Sequence, residues 1–140
     1  MRSLALLSVS MLAAAVVAGA ALRAQAPALD YETFKAKVQP IFLVKHEGFA
    51  RCYVCHSQGT PFRLQRLSEG ASSYNEEQSK LNFQAVQKLV KPGDPKVSRL
   101  MRMPLSHDAG GTEYHPGGKR WESTTNAEYT TIAEWIRGTR

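Results

Sequence analysis

Apolar residues recur every third or fourth position in several stretches of this chain, and nowhere do β-branched residues alternate as a half-buried strand would require. Tyr31, Phe34, Val38, Ile41 and Phe42 form the first stripe. Asp30 stands where a helix cap belongs, and Glu32 sits in the first turn, where negative charge is favoured. Pro40 predicts either a kink in this helix or a second turn opening at Ile41. The chain over 45–51 then turns at Gly48, and Phe62, Leu64 and Leu67 are expected core residues. A polar loop over 68–73 precedes Asn75, which can cap a helix with Glu76 and Glu77 in its first turn. The spacing Leu81, Ala85 or Val86, Leu89 and Val90 predicts that this helix runs until Pro92-Gly93 stops it. Pro92-Gly93-Asp94-Pro95 reads as a rigid turn. Ser98 is expected to open a short helix holding Leu100 and Met101, ended by Met103-Pro104. The stretch over 104–126 is the least regular. Tyr129, Ile132, Trp135 and Ile136 mark a last amphipathic helix, with Gly138 as its stop. Trp135 is expected to meet Phe34 or Phe42 where the first and last helices cross. The fold class expected from this pattern is all-α.

The start of the chain has a different character. Met1-Arg2-Ser3 leads into an almost wholly apolar run over 4–22, the make-up of a secretory signal. A cut after Ala26 completes Ala24-Gln25-Ala26 but leaves Pro27 first, and a cut after Ala24 puts Leu22 at the third position back. We therefore expect a leader over 1–24, with the cleavage site at 24 or 26, and one domain over 25–140. An uncleaved anchor is the rival reading, since the run approaches the roughly 17–25 residues that span a bilayer; a buried core helix is a third. No cysteine stands near the end of the segment, which excludes ordinary lipoprotein anchoring. The remaining chain, roughly 115 residues, is one domain by length and can bury only a small core.

The formal charge is +6, and removing Arg2 and Arg23 with the leader lowers it by two. Such a mild excess does not make a nucleic-acid surface, and basic and aromatic residues are not interleaved as single-strand binders require. Lys35, Lys37 and Lys45 can steer an acidic protein partner, or can simply solvate one face.

The chain has two cysteines, and both fall in Cys52-Tyr53-Val54-Cys55-His56. Thiols at this spacing can take up the two vinyl arms of a haem, while the adjacent histidine reaches the iron. The chemistry leaves Tyr53 and Val54 unconstrained. Three other readings use the same residues. A CxxC redox site would follow a strand and open a helix, and would leave His56 without a duty. A structural zinc ion needs four ligands, so His107 and His115 would have to join Cys52 and Cys55 at wider spacing than ordinary fingers. A plain disulfide is the simplest alternative. The haem reading gives both cysteines and His56 a duty.

Several stretches strengthen it by resemblance. The order of leader, short helix ending in a Pro-Ile-Phe turn, CxxCH, Met-Pro pair and aromatic C-terminal helix resembles the class I cytochrome c fold. More closely, the chain is similar to small exported monohaem cytochromes of the acidobacterial type. The matching residues are Val38-Gln39-Pro40-Ile41-Phe42, Cys52 to Ser57, Leu89-Val90-Lys91-Pro92-Gly93-Asp94-Pro95, Ser98-Arg99-Leu100, Pro104-Leu105, Gly110-Gly111, His115-Pro116-Gly117-Gly118 and Ile132 to Gly138. The resemblance implies three to five helices wrapped around one covalently bound haem c, and it marks position 103 as a ligand site.

The sixth iron ligand is expected from the loop before the last helix. Met103 is the first candidate, because soft sulfur binds reduced iron and Pro104 restricts the backbone beside it. His115 is the alternative, on a Pro116-Gly117-Gly118 backbone that can approach a porphyrin closely; His107 lies in the same loop. Met101 is expected in the core. Arg99, Arg102, Lys119, Arg120 and Trp121 are candidates to bind the haem propionates. The expected function is periplasmic one-electron transfer between a redox donor and an acceptor, with no catalytic residues and no nucleic acid. A membrane respiratory or photosynthetic complex can serve as partner, and the protein itself meets the membrane only if the leader is kept. An open sixth position would instead make a haem enzyme or small-ligand binder, with His107, Asp108 and Glu113 as its acid–base groups. A fixed subunit of a larger complex is the third possibility.

Overall fold

Asp30 starts the first helix as its side chain dictates, its carboxylate accepting the Thr33 N–H at 2.7 Å. In the computed structural model, which describes residues 25–48 and 51–139, this helix (α1, 31–43) changes pitch twice. Tyr31–Thr33 is α-helical, Phe34–Val38 is a π-turn and Gln39–Leu43 is a 3-10 turn. Pro40 has no N–H to donate, and the change of pitch falls around it: the Gln39 N–H reaches back five residues to the Phe34 carbonyl. The leader expected over 1–24 lies outside the described residues.

The other helices are α2 (Cys52–His56), α3 (Glu76–Gln87), α4 (Arg99–Arg102) and α5 (Ala127–Arg137), with a 3-10 turn at His107–Ala109. Among the described residues there is no strand; Leu105 and Trp121 form an isolated parallel bridge. The protein is all-α. No helix of the described residues is long and apolar enough to cross a membrane.

The first and last helices cross as their stripes predict. The Phe34 ring lies 5.6 Å from Trp135 and 5.2 Å from Phe83 of α3, and all three rings meet at one point of the core. Trp135 keeps its polar handle satisfied by donating to the Asp30 carbonyl at 2.8 Å. Burying Phe34, Ile132 and Ile136 here contributes roughly 2 kcal/mol for each side chain. Asn126 caps α5, and Gly138 ends it at φ 74, a backbone angle that costs other residues strain. Met101 is fully buried, as expected, and Leu64 is 1% exposed.

Helix α3 departs from its predicted face. Leu81 is 41% exposed, and the buried positions are Ser79, Asn82 and Val86. Polar side chains can lie inward because they satisfy one another. Gln39 of α1 donates to Ser79 Oγ at 2.8 Å and accepts from Asn82 Nδ2 at 3.3 Å, while Asn82 Oδ1 takes the Gln65 N–H at 2.7 Å. Asn75 and Gln78 form a reciprocal capping box at the helix start. The helix also ends earlier than expected, at Gln87, leaving Leu89 and Val90 to pack from the following turn. The turn at Gly93 then docks on α5 through its N–H and the Ile136 carbonyl, 2.8 Å apart.

Candidate functional site

The CxxCH motif forms α2, a single helical turn entered from an extended Arg51. Three residues apart on one turn, the cysteines share a side of the helix. Cys52 is half-buried against the core, whereas Cys55 is exposed, and neither forms a disulfide. Burial raises the Cys52 thiol above its ordinary range, and the nearby Arg120 charge offsets this only in part. A thiol held protonated in this way is the opposite of an activated redox cysteine. Among the described residues a turn over 47–48, and no strand, precedes the motif.

His56 closes the turn. Its Nδ1 lies 3.0 Å from the Phe62 carbonyl and 2.8 Å from Thr60 Oγ1, and that hydroxyl itself donates to the same carbonyl. Both acceptors require the Nδ1 proton, so in the neutral ring the lone pair sits on Nε2. Burial lowers the pKa of this histidine, with the neighbouring His115 adding to the effect and the Phe62 carbonyl opposing it. Phe62 packs on the ring at 4.6 Å.

His115 comes from the irregular loop. Pro104 and Arg120 meet at the base of that loop, where the Arg120 N–H reaches the Pro104 carbonyl at 2.6 Å and the Ser106 N–H reaches the Trp121 carbonyl at 2.8 Å. The chain over 106–119 is thereby an excursion pinned at its root. Inside it, Gly111 passes so close to Leu105 that a Cβ would run into the Leu105 carbonyl oxygen. At its tip, His115 and Gly118 clasp each other: the Gly118 N–H donates to the His115 carbonyl at 2.8 Å, and His115 Nδ1 meets the Gly118 carbonyl at 2.7 Å. This histidine, too, carries its proton on Nδ1. Its ring centre is 6.3 Å from that of His56, with the planes 18° from parallel.

Met103 caps α4 and is half-buried, its carbonyl tied to the same loop through Thr112 Oγ1 at 3.3 Å. His107, Asp108 and Glu113 are exposed, with His107 Nδ1 4.0 Å from Asp108 Oδ1. Among the described residues no three His, Cys, Asp or Glu side chains converge as ligands for an ion, including the set that a zinc site would need.

Two of the residues expected to bind propionates have another task. Arg120 is buried, and its guanidinium bonds Glu128 through Nε and Nη2 at 3.0 Å each, the Ile41 carbonyl at 3.0 Å and the Val44 carbonyl at 3.2 Å. Trp121 Nε1 donates to the same carboxylate at 3.1 Å. These donors hold the loop root to α5 and α1. Lys119 pairs with Glu122, while Arg99 and Arg102 remain exposed. Lys35 is held by Glu32 and Glu76, which leaves Lys37 and Lys45 as the exposed charges of the expected basic group.

Four features carry no signal in the sequence pattern. The Phe62 carbonyl is backbone. His46 meets Glu128 at 3.0 Å only through the fold. An open cleft of about 420 Å³ beside α2 is lined by Ser57, Leu64 and the cations Arg63 and Arg66. The Tyr74 hydroxyl is buried and makes no hydrogen bond of good geometry among the described residues, although the Asn82 side chain is close enough to act on it; its ring lies 6.3 Å from Tyr53 of the motif.

Fold and site together define a small all-helical protein with a one-turn CxxCH helix faced by a second histidine. No protein-family model, curated protein or solved structure matches the chain.

Proposed function

We propose that this protein is an exported, periplasmic electron carrier holding one covalently attached haem c, in a cytochrome c-like arrangement. The observation that carries the reading is the state of α2. Two unpaired thiols stand one helical turn apart beside a histidine whose Nδ1 is tied to a carbonyl and whose Nε2 keeps its lone pair. That is the tautomer and second-sphere support of a metal-ligating histidine. Cys52 and Cys55 would hold the haem by thioethers, and His56 would bind its iron.

Further features fit such a group. A porphyrin supplies its own equatorial ligands, so the protein needs at most two, and a cluster of three or more is not required. Cys52 faces the core edge and Cys55 faces solvent, so a group joined to both reaches the surface. Among the described residues the Tyr74 hydroxyl makes no hydrogen bond of good geometry, and a carboxylate-bearing cofactor would supply one. When bound, haem supplies an iron that cycles between two oxidation states without making or breaking substrate bonds. The chain's part is to fix the ligand tautomer, exclude water from the Phe62 side of His56, and present Lys37 and Lys45 to acidic redox donors and acceptors. Electrostatic steering of this kind weakens with salt.

The test is a redox titration of protein matured in a host competent for cytochrome assembly, followed by mixing of the reduced form with an acidic acceptor protein. One reversible electron per chain, transferred at a rate that falls with ionic strength, is expected. Turnover of peroxide, or a chain without haem, would contradict the proposal.

A further inference from the structure

We infer that His115, and not Met103, is the second axial ligand of the haem proposed above; the inference rests on that reading of the site. Two observations converge on it. Two imidazoles that share one metal ion through bonds of about 2 Å place their ring centres roughly 6 Å apart. The ring centres of His56 and His115 are 6.3 Å apart and their planes are 18° from parallel, a stacked relation at a spacing that matches this distance. Each ring also has its Nδ1 proton engaged by a backbone carbonyl, Phe62 for His56 and Gly118 for His115. Each tautomer is set by its own carbonyl, and together the two contacts leave Nε2 unprotonated on both rings, the state an iron ligand needs.

The loop is built to hold this geometry. The Pro116-Gly117 turn returns the chain so that Gly118 clasps His115 from both its amide and its carbonyl, and the Arg120–Glu128 contacts anchor the loop root to α5. Gly117 lies close to the imidazole edge, where a Cβ would come within 3.3 Å of His115 Cε1. Met103 sits at the loop root instead. A pair of histidine ligands gives a lower reduction potential than a histidine–methionine pair. The partners this predicts are low-potential donors and acceptors.

The experiment has two stages. Haem that stays with the denatured polypeptide tests the parent reading, and a chain that carries none overturns both. On haem-bearing protein, optical and paramagnetic resonance spectra of the ferric state are then compared for the native chain, Met103→Leu and His115→Ala. We expect the native protein and Met103→Leu to be low-spin without a near-infrared sulfur-to-iron band. His115→Ala should turn high-spin and recover low-spin character on addition of imidazole. Circular dichroism checks that this variant is folded; if it is not, the native spectrum and Met103→Leu decide. A sulfur-to-iron band in the native protein, a high-spin Met103→Leu, or a folded His115→Ala that stays low-spin would overturn the inference.

Discussion

The Tyr74 hydroxyl and the Glu128 carboxylate are both shielded, and they differ in how well partners surround them. A buried phenol without a hydrogen bond of good geometry among the described residues costs the apoprotein free energy, about 1 kcal/mol, that removal of the oxygen would return. Tyr74→Phe should therefore leave the stability of the haem-free chain unchanged or slightly raised, while lowering that of the haem-bearing form. Urea unfolding of both forms reads this, and equal effects on the two would contradict a bond to the cofactor. Glu128 is the reverse case. Burial alone would raise its pKa, but His46, Trp121 and Arg120 donate to the carboxylate and hold it below the ordinary 4.5. Since the folded state keeps the group more acidic than the unfolded chain does, its stabilisation is full above pH 4.5 and fades as pH falls through the folded value. Glu128→Gln leaves the buried Arg120 charge uncompensated and should cost about 3 kcal/mol at pH 7. The gap between variant and native protein should narrow as the pH drops below 4.5, measured by urea unfolding across that range.

Helix α3 shows most clearly where an element can be read from sequence and where it cannot. The stripes of α1 and α5 were legible because their buried faces are apolar, and hydrophobic periodicity reports that property alone. On α3 the inward positions are Ser79 and Asn82, and their partners Gln39 and Gln65 lie far away along the chain. Nothing local distinguishes such residues from solvated ones, and the eye falls on Leu81 instead. Removing Asn82 strands the Gln65 N–H and the Gln39 Oε1, so Asn82→Ala should cost about 2 kcal/mol. Leu81→Lys should change stability by no more than about 0.5 kcal/mol, as an exposed substitution does. Thermal or urea unfolding of the pair checks this, and the opposite order would restore the apolar face. The site divides in the same way. The CxxCH motif is contiguous, so its two thiols and its histidine stand together in the sequence, and α2 adds only their exposure and the tautomer of His56. The meeting of His115 with His56 depends on how a loop without periodicity is pinned at Pro104 and Arg120, which spacing does not encode.

At the scale of the whole molecule, crossing of α1 and α5 at Phe34 and Trp135 closes the chain on itself and keeps α2 at the rim of the core. A small all-helical body with one rim-mounted motif suits a carrier that meets partners briefly through an exposed face. The apolar content is modest for a domain of this size, and a covalently held porphyrin would add the largest single apolar surface to its interior. Electron transfer, the axial pair and the role of Tyr74 all depend on that attachment. The most direct test is intact-mass analysis of the denatured, acid-extracted protein after maturation in a cytochrome-assembling host, combined with thiol alkylation. We predict a mass greater by one haem, with Cys52 and Cys55 both closed to the alkylating reagent. The bare chain mass with two alkylated cysteines would contradict the account.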